Sequence, residues 1–194
     1  MYDRYMIKAI IFDCFGVLYR DNISMLYDTV PTDKRQALKD IIHATDHGFI
    51  DRDEYYAAIA ELGGITPDDV RAIERRQHSR DDEMVAYSQT FKPAYRVGLL
   101  SNIDVDTMER LFPEPERSQL FDVFVMSGEL GVTKPSPQIF EIAAERLGLA
   151  PDECVMIDDI PVNIEGARLA GMHGIVFTSR QQLVHDIEAL LGAA

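Results

Sequence analysis

The sequence is short of three things: cysteine, basic charge and long apolar runs. Only Cys14 and Cys154 occur in 194 residues. Two thiols cannot build a disulfide framework, and no C-x-x-C or Cys/His cluster points to zinc. Both are expected to be small buried hydrophobes in a reducing compartment. Lys and Arg number 19 against 33 Asp and Glu, a formal net charge of −14. A field of that sign opposes association with DNA, RNA or anionic membranes, so neither nucleic acid nor membrane is an expected partner. A local basic site beside a divalent cation can still hold a small anion. No apolar run approaches the roughly 18 residues of a membrane-crossing helix. The apolar stretch near the start, Ala9 to Phe12, stops at Asp13. It is also too short for a secretory h-region, and no small-residue cleavage site accompanies it. The cytoplasm is therefore the expected compartment.

What is present describes a globular chain. A hydrophobic share of 46% can build a real core, and 27% charged residues suit a solvated surface. The length fits one domain carrying a smaller insertion. Short β-rich apolar runs occur at Lys8–Phe12, Arg96–Leu100, Val123–Met126, Cys154–Ile157 and Gly174–Phe177. Such runs mark strands buried on both faces, and helical patterns separate the later four. The expected fold is α/β, a Rossmann-like, doubly wound parallel sheet.

Helix punctuation supports this. Ser136 and Pro137 open a helix with Ile139, Ala143 and Leu147 on one face, and Gly148 closes it. Pro161 opens another that Gly171 ends. Ser179 and Gln182 have capping-box spacing before Leu183, Ile187 and Leu190.

The stretch from Tyr19 to Phe91 differs. It has helical segments but no convincing strand. Leu38, Ile41, Ile42 and Thr45 share one face, and Tyr55, Tyr56, Ile59 and Leu62 another, while Thr66-Pro67-Asp68-Asp69 starts a further helix. We expect a core domain of residues 1–18 and 92–194 and an inserted α-helical cap of residues 19–91. An insertion just past a strand's carboxyl end lies where α/β sheets bind ligands.

Four strand ends carry chemistry. Asp13 follows the first strand, Ser101-Asn102 the second, Lys134-Pro135 the third after a loop, and Asp158-Asp159 the fourth. In a parallel sheet these ends open on one edge, so residues far apart in sequence converge. Carboxylates can hold Mg²⁺ through hard oxygen ligands. A lysine and a hydroxyl can hold a phosphoryl group, and an aspartate can attack it in line.

At these residues the chain resembles the haloacid dehalogenase superfamily. The matching segments are IIFDCFGVL at 10–18, LLSN at 99–102, TKPSP at 133–137 and MIDDIPVNIEGA at 156–167. One such segment is a weak signal; four in order, over essentially the whole chain, are a strong one. The resemblance implies a C1-type helical cap and Asp13 as nucleophile and Mg²⁺ ligand. It implies the Phe15 carbonyl and Asp159 as further ligands, with Asp158 assisting directly or through water. Ser101, Asn102 and Lys134 would bind the phosphoryl group of a small phosphorylated substrate.

One position departs from the pattern. Family phosphatases usually carry a second aspartate two residues after the nucleophile, as general acid and base, and here that residue is Phe15. Losing a general acid typically costs about 10²–10⁴-fold. Slow turnover, or a preference for leaving groups that are already acidic, is expected. Two other readings stand beside the phosphatase: a weakly or non-catalytic phosphate- or metabolite-binding protein, and a 2-haloacid dehalogenase. Dehalogenase-type members also lack that aspartate but carry a halide-receiving arginine, and neither Arg35 nor Arg52 has a matching context.

Other features have plainer readings. His43 and His47 stand four apart on a helix without a third ligand. Tyr55 and Tyr56 suit the core of the insertion, and Arg71 to Arg80 a solvated face. Phe15 suits a packed wall of the site.

Overall fold

In the computed structural model, which describes residues 6–192, five parallel strands form a central sheet. The ends of the expected core domain, 1–5 and 193–194, lie outside the described residues. The strands are β1 (Ala9–Phe12), β4 (Arg96–Ser101), β5 (Val123–Met126), β6 (Cys154–Asp158) and β7 (His173–Val176). Their order is β5-β4-β1-β6-β7, which puts β1 at the centre. All five coincide with the apolar runs to within about a residue at each end.

Side chains alternate across this sheet as the pleat requires. Ile10, Phe12, Val97, Leu99, Val155 and Ile157 belong to one buried apolar cluster, and Ala9, Ile11, Leu100, Cys154 and Met156 to the other. The first face is covered by α5 (Asp82–Gln89), α6 (Val105–Leu111) and α11 (Arg180–Gly192), through Met84, Val85, Met108, Leu183 and Ile187. The second is covered by α9 (Pro137–Leu147) and α10 (Pro161–Leu169), through Ile139, Phe140, Ala143, Ile164 and Ala167. Each fully buried Ile, Leu or Phe contributes about 1.5–3 kcal/mol, so this two-sided burial holds the strand ends in register. Cys14 and Cys154 are both buried and unpaired.

Local signals behave unevenly. Gly148 ends α9 in the left-handed region at φ 69°, but Ser136 makes no capping hydrogen bond with its side chain. At the last helix the Gln182 N–H donates to Ser179 Oγ at 3.2 Å. The return bond comes from the Thr178 N–H, one residue earlier than a capping box has it.

Between β1 and β4 lie α1 (Ser24–Tyr27), α2 (Arg35–Asp46), α3 (Arg52–Gly63) and α4 (Pro67–Gln77). Leu26, Leu38, Tyr55, Tyr56, Ile59 and Val70 form their own apolar cluster. Thr66 caps α4 in a full capping box with Asp69, and Pro67 occupies its first turn. Two features differ from the sequence reading. A two-stranded antiparallel ribbon, β2 (Tyr19–Asp21) with β3 (His78–Arg80), closes the insertion at its base. The helix that follows, α5, packs on the sheet and not on the insertion's cluster. Short helices α7 (Glu116–Leu120) and α8 (Ser127–Leu130) flank β5. No helix among the described residues is long and apolar enough to cross a membrane.

Candidate active site

Four strand or loop ends meet at the carboxyl edge of the sheet. The Asp13 N–H donates to the Ile157 carbonyl at 2.9 Å, which fixes Asp13 beside the end of β6. Asp13 Oδ1 accepts from the Cys14 N–H at 2.7 Å and lies 2.8 Å from Lys134 Nζ. Lys134 also donates to Asp158 Oδ2 at 2.6 Å. Asp158 is fully buried and further accepts from the Ile160 N–H and Asn163 Nδ2. Burial pushes the Asp13 carboxyl above the usual range; Lys134 pulls it down and Asp158 pushes it further up. Burial also works against the Lys134 ammonium, but Asp13 and Asp158 outweigh it and hold its pKa above that of an ordinary lysine.

The loop carrying Lys134 is clamped from two sides. Asn102 Oδ1 accepts from the Lys134 N–H at 2.8 Å, and Asn102 Nδ2 donates to the Lys134 carbonyl at 3.1 Å. On the other side, Gly166 of α10 lets the helix approach: a Cβ there would come within 2.1 Å of the Pro135 carbonyl oxygen. Asn102, expected to bind substrate, lines the cleft and through these two bonds also positions Lys134. Ser101, at the end of β4, is buried, and its hydroxyl has no protein partner among the described residues. It does not cap α6; Asp104 does, accepting from the Thr107 N–H.

Asp13, Asp158 and Asp159 each offer a carboxylate oxygen within 4.8 Å of the others, the one such acidic group among the described residues. Asp159 reaches in over Gly16, whose φ is +81° and whose added Cβ would meet Asp159 Oδ2 at 2.2 Å. Burial raises the Asp159 carboxyl, and Asp158 adds to it. The Phe15 carbonyl accepts no hydrogen bond among the described residues. An all-oxygen donor set of this kind suits Mg²⁺.

A cleft of about 360 Å³ opens above Asp13, walled by Phe15, Ser101, Lys134 and Asp159 on the sheet side and by Asp21 and Asp46 on the insertion side. It adjoins a chamber of about 140 Å³ under the insertion, lined among others by Phe15, Arg52, Tyr55, Glu74, His78 and Asp104. The Phe15 ring packs on His78 with centroids 4.5 Å apart, so it is a wall shared by both spaces. Burial lowers the His78 pKa to about 4, which leaves its ring neutral.

Sequence reasoning missed Asp21, Asp46 and His78. Asp21 accepts from Gln77 Nε2 at 2.6 Å, whereas the Asp46 carboxylate has no hydrogen-bond or ion-pair partner among the described residues. Arg52 is fully engaged: it bonds Glu74 and the Tyr56 hydroxyl, and pairs with Asp104 at 3.4 Å. Arg71 and Arg80 form surface ion pairs with Asp53, Asp68, Asp82 and Glu116. His47 spends its ring on the His43 carbonyl at 2.9 Å and on Thr133 Oγ1 at 3.2 Å, which leaves no nitrogen for a metal.

Comparison with known proteins follows the same lines. A family model described as haloacid dehalogenase-like hydrolase matches residues 7–171. Among curated relatives, mouse acyl-CoA dehydrogenase family member 10 is 37% identical over 94 residues, which is 48% of this chain and 9% of that protein. Phosphoserine phosphatase of Thermus thermophilus is 30% identical over 126 residues, 61% of this chain and 50% of that one. The chain thus corresponds to half or less of the length of these two relatives. Among solved structures, the HAD family enzyme bt-2542 from Bacteroides thetaiotaomicron superposes with a TM-score of 0.83 at 21% identity, covering 94% of this chain and 98% of that one. That enzyme has also been solved in complex with magnesium and inorganic phosphate, where the TM-score is 0.76.

Proposed function

Because the chain belongs to the haloacid dehalogenase-like hydrolases, we propose that it is a Mg²⁺-dependent phosphatase of a small phosphorylated metabolite. The observation that carries this reading is Asp13, held between the Lys134 ammonium and an acidic group at the carboxyl edge of the sheet. Phosphatases among its relatives, and the bt-2542 complex with magnesium and phosphate, agree with it.

Asp13 Oδ2 faces no protein donor among the described residues and attacks phosphorus, while Oδ1 stays bonded to the Cys14 N–H and Lys134. Lys134 and Ser101 hold the phosphoryl oxygens, and water then cleaves the aspartyl-phosphate. Asp13, Asp159 and the Phe15 carbonyl would hold the metal, which when bound neutralises charge on the phosphoryl group. Asp158, with its oxygens already bonded to Lys134, Ile160 and Asn163, would support that group from behind. The insertion, residues 19–91, would act as a cap that receives the leaving group in the chamber beyond Phe15.

The dehalogenase reading is disfavoured by Arg52. It is the arginine nearest the chamber, and Glu74 and Asp104 occupy it. The test is phosphate release from p-nitrophenyl phosphate and a panel of phosphorylated metabolites, with and without Mg²⁺, beside Asp13→Asn. Mg²⁺-dependent release that disappears in the variant supports the phosphatase. Phosphate and Mg²⁺ binding without release would replace it with a binding role, and halide release from 2-haloacids insensitive to EDTA with a dehalogenase.

A further inference from the structure

The cleft has Phe15 where a carboxyl was expected, and it carries the Asp46 carboxyl on the opposite wall. We propose that Asp46, at the carboxyl end of α2, is the proton-transfer residue of this site and serves the leaving group from the insertion side. The proposal rests on the phosphatase reading above.

In-line displacement dictates where such a group must stand. The leaving oxygen departs on the side opposite the attacking Asp13, away from the sheet edge and toward the insertion. Asp46 lines both the cleft above Asp13 and the chamber beyond Phe15, so it stands where the two spaces join. Of the two insertion carboxylates there, Asp21 is tied to Gln77, whereas Asp46 has no partner among the described residues.

Its placement is built, not incidental. Ser127 Oγ donates to the Asp46 carbonyl and accepts from the Ile103 N–H at 3.0 Å, which joins the end of α2 to the ends of β4 and β5. His47 reaches Thr133, the neighbour of Lys134. Gly48, at φ +71°, lies so close to the core that a Cβ would come within 2.4 Å of the Gly128 carbonyl oxygen. The helix end is thus docked on the loops that carry the phosphoryl-binding residues.

The electrostatic surroundings favour a carboxyl that can both give and take a proton near neutrality. As the last residue of α2, Asp46 sits at the negative end of the helix dipole. Burial, then Asp104, push its pKa up to about 7, with Asp21 adding to this and Lys134 and Arg52 opposing it. A group poised there is near the optimum for acid–base work at neutral pH.

The steps balance. As the Asp13–phosphorus bond forms and the ester P–O bond breaks, the Asp46 carboxyl gives its proton to the leaving oxygen, which departs as an alcohol. Water then attacks phosphorus from the vacated side. Its proton passes to the Asp46 carboxylate, the bond from phosphorus to Asp13 breaks, and phosphate is released with Asp46 reprotonated.

The experiment compares kcat/KM for p-nitrophenyl phosphate and for primary alkyl phosphates in wild type, Asp46→Asn and Asp21→Asn, with Mg²⁺ present and folding checked by thermal melting. For Asp46→Asn the expected result is a fall of about 10²–10⁴-fold on alkyl esters. On p-nitrophenyl phosphate, whose leaving group needs no proton, kcat/KM holds within about tenfold. Its kcat falls, with a pre-steady-state burst of p-nitrophenolate, because dephosphorylation has lost its base. The fall of alkyl kcat/KM toward alkaline pH, as the acid ionises, also disappears in the variant. Equal losses on both ester classes, or a leaving-group-selective loss in Asp21→Asn alone, would overturn the proposal. Should Asp46→Asn fold poorly, Asp46→Glu is expected to keep alkyl-ester activity above that of Asp46→Ala; equal activity of the two overturns the proposal. Failure of the phosphatase reading itself is separate: wild type would then release no p-nitrophenolate.

Discussion

Replacing Gly16 by alanine tests the metal group through a single methyl. Two costs can be separated. Alanine at φ +81° is strained by roughly 1–2 kcal/mol, because L side chains crowd the backbone in that region. The methyl would also lie 2.2 Å from Asp159 Oδ2, while contacts under 3.0 Å are not tolerated, so the carboxylate must retreat by about 0.8 Å. A misplacement near 1 Å costs on the order of 10²-fold in rate. Gly148→Ala is the matched control, with φ +69° and nothing within 4 Å of its added Cβ. Both variants should lose about 2–8 °C in melting temperature, at roughly 2–4 °C per kcal/mol for a chain of this size. Only Gly16→Ala should need more Mg²⁺ for half-maximal p-nitrophenyl phosphate hydrolysis, by about tenfold or more, with kcat/KM down about 10²-fold. If the two variants show the same Mg²⁺ requirement, Asp159 is not a member of the metal group.

Other perturbations have equally definite outcomes. Asp46→Asn should stabilise the metal-free protein increasingly as pH rises from about 4 to about 7. Burial pushes the folded carboxyl up to about 7, against 3.8 for a carboxyl in the unfolded chain, so wild type sheds stability across that window as its unfolded chain ionises first. The difference between the two proteins, read from urea unfolding at pH 4 and pH 8, should approach roughly 4 kcal/mol as an upper bound; a flat difference refutes it. Arg52→Met should cost about 1–3 kcal/mol, because the buried Glu74 carboxylate loses its main partner and keeps only the Tyr56 hydroxyl at 2.8 Å and Arg110 at 3.5 Å. The double variant Arg52→Met/Glu74→Met should recover most of that loss in the same assay. Gly48→Ala, whose methyl would meet the Gly128 carbonyl oxygen at 2.4 Å, should loosen the end of α2 and reproduce the alkyl-ester defect of Asp46→Asn in weaker form; wild-type leaving-group selectivity in that variant would refute the docking argument.

What could be read from sequence, and what could not, follows from how each feature is encoded. The five parallel strands were legible because burial on both faces demands unbroken apolar runs. Asp13, Ser101 and Asp158 were legible because polar residues ending such runs share one edge of a parallel sheet. The β2–β3 ribbon was not. Its strands, Tyr19–Asp21 and His78–Arg80, are three residues each and mostly polar, and they pair across the whole insertion. Asn102 read as a neighbour of Ser101 facing substrate; it does line the cleft, but nothing in the sequence hints that its amide also bonds the Lys134 backbone across 32 residues. Asp46 left almost no trace. Its docking runs through backbone atoms, the Asp46 carbonyl and Gly48 against Gly128, which no side-chain pattern records. A glycine at position 48, just past the end of α2, is the one sign the sequence carries, and as a helix ending it says nothing about what the end touches.

The balance of charge in the cleft leads to a prediction about ligand order. Asp13, Asp21, Asp46 and Asp159 line it with Asp158 behind, while Lys134 is the one cation on its wall. Arg52, the next nearest, is neutralised by Glu74 and Asp104. A phosphate dianion entering this site alone would meet net negative charge inside a protein of formal charge −14. A divalent cation on the acidic group reverses the local sign, so phosphate and Mg²⁺ should bind with positive coupling. Coupling free energies between linked sites are typically 1–3 kcal/mol, or about 5–150-fold in affinity, and are the same whichever ligand binds first. Calorimetric titration of inorganic phosphate into the protein, with and without saturating Mg²⁺, measures the coupling directly, and the reverse titration must return the same factor. In Asp159→Asn the factor should shrink, because the metal loses a ligand while the phosphoryl-binding residues Lys134 and Ser101 are unchanged. Phosphate affinity indifferent to Mg²⁺ would mean that Lys134 and Ser101 suffice for the anion. It would remove the reason for placing a metal between Asp13, Asp159 and the phosphoryl group.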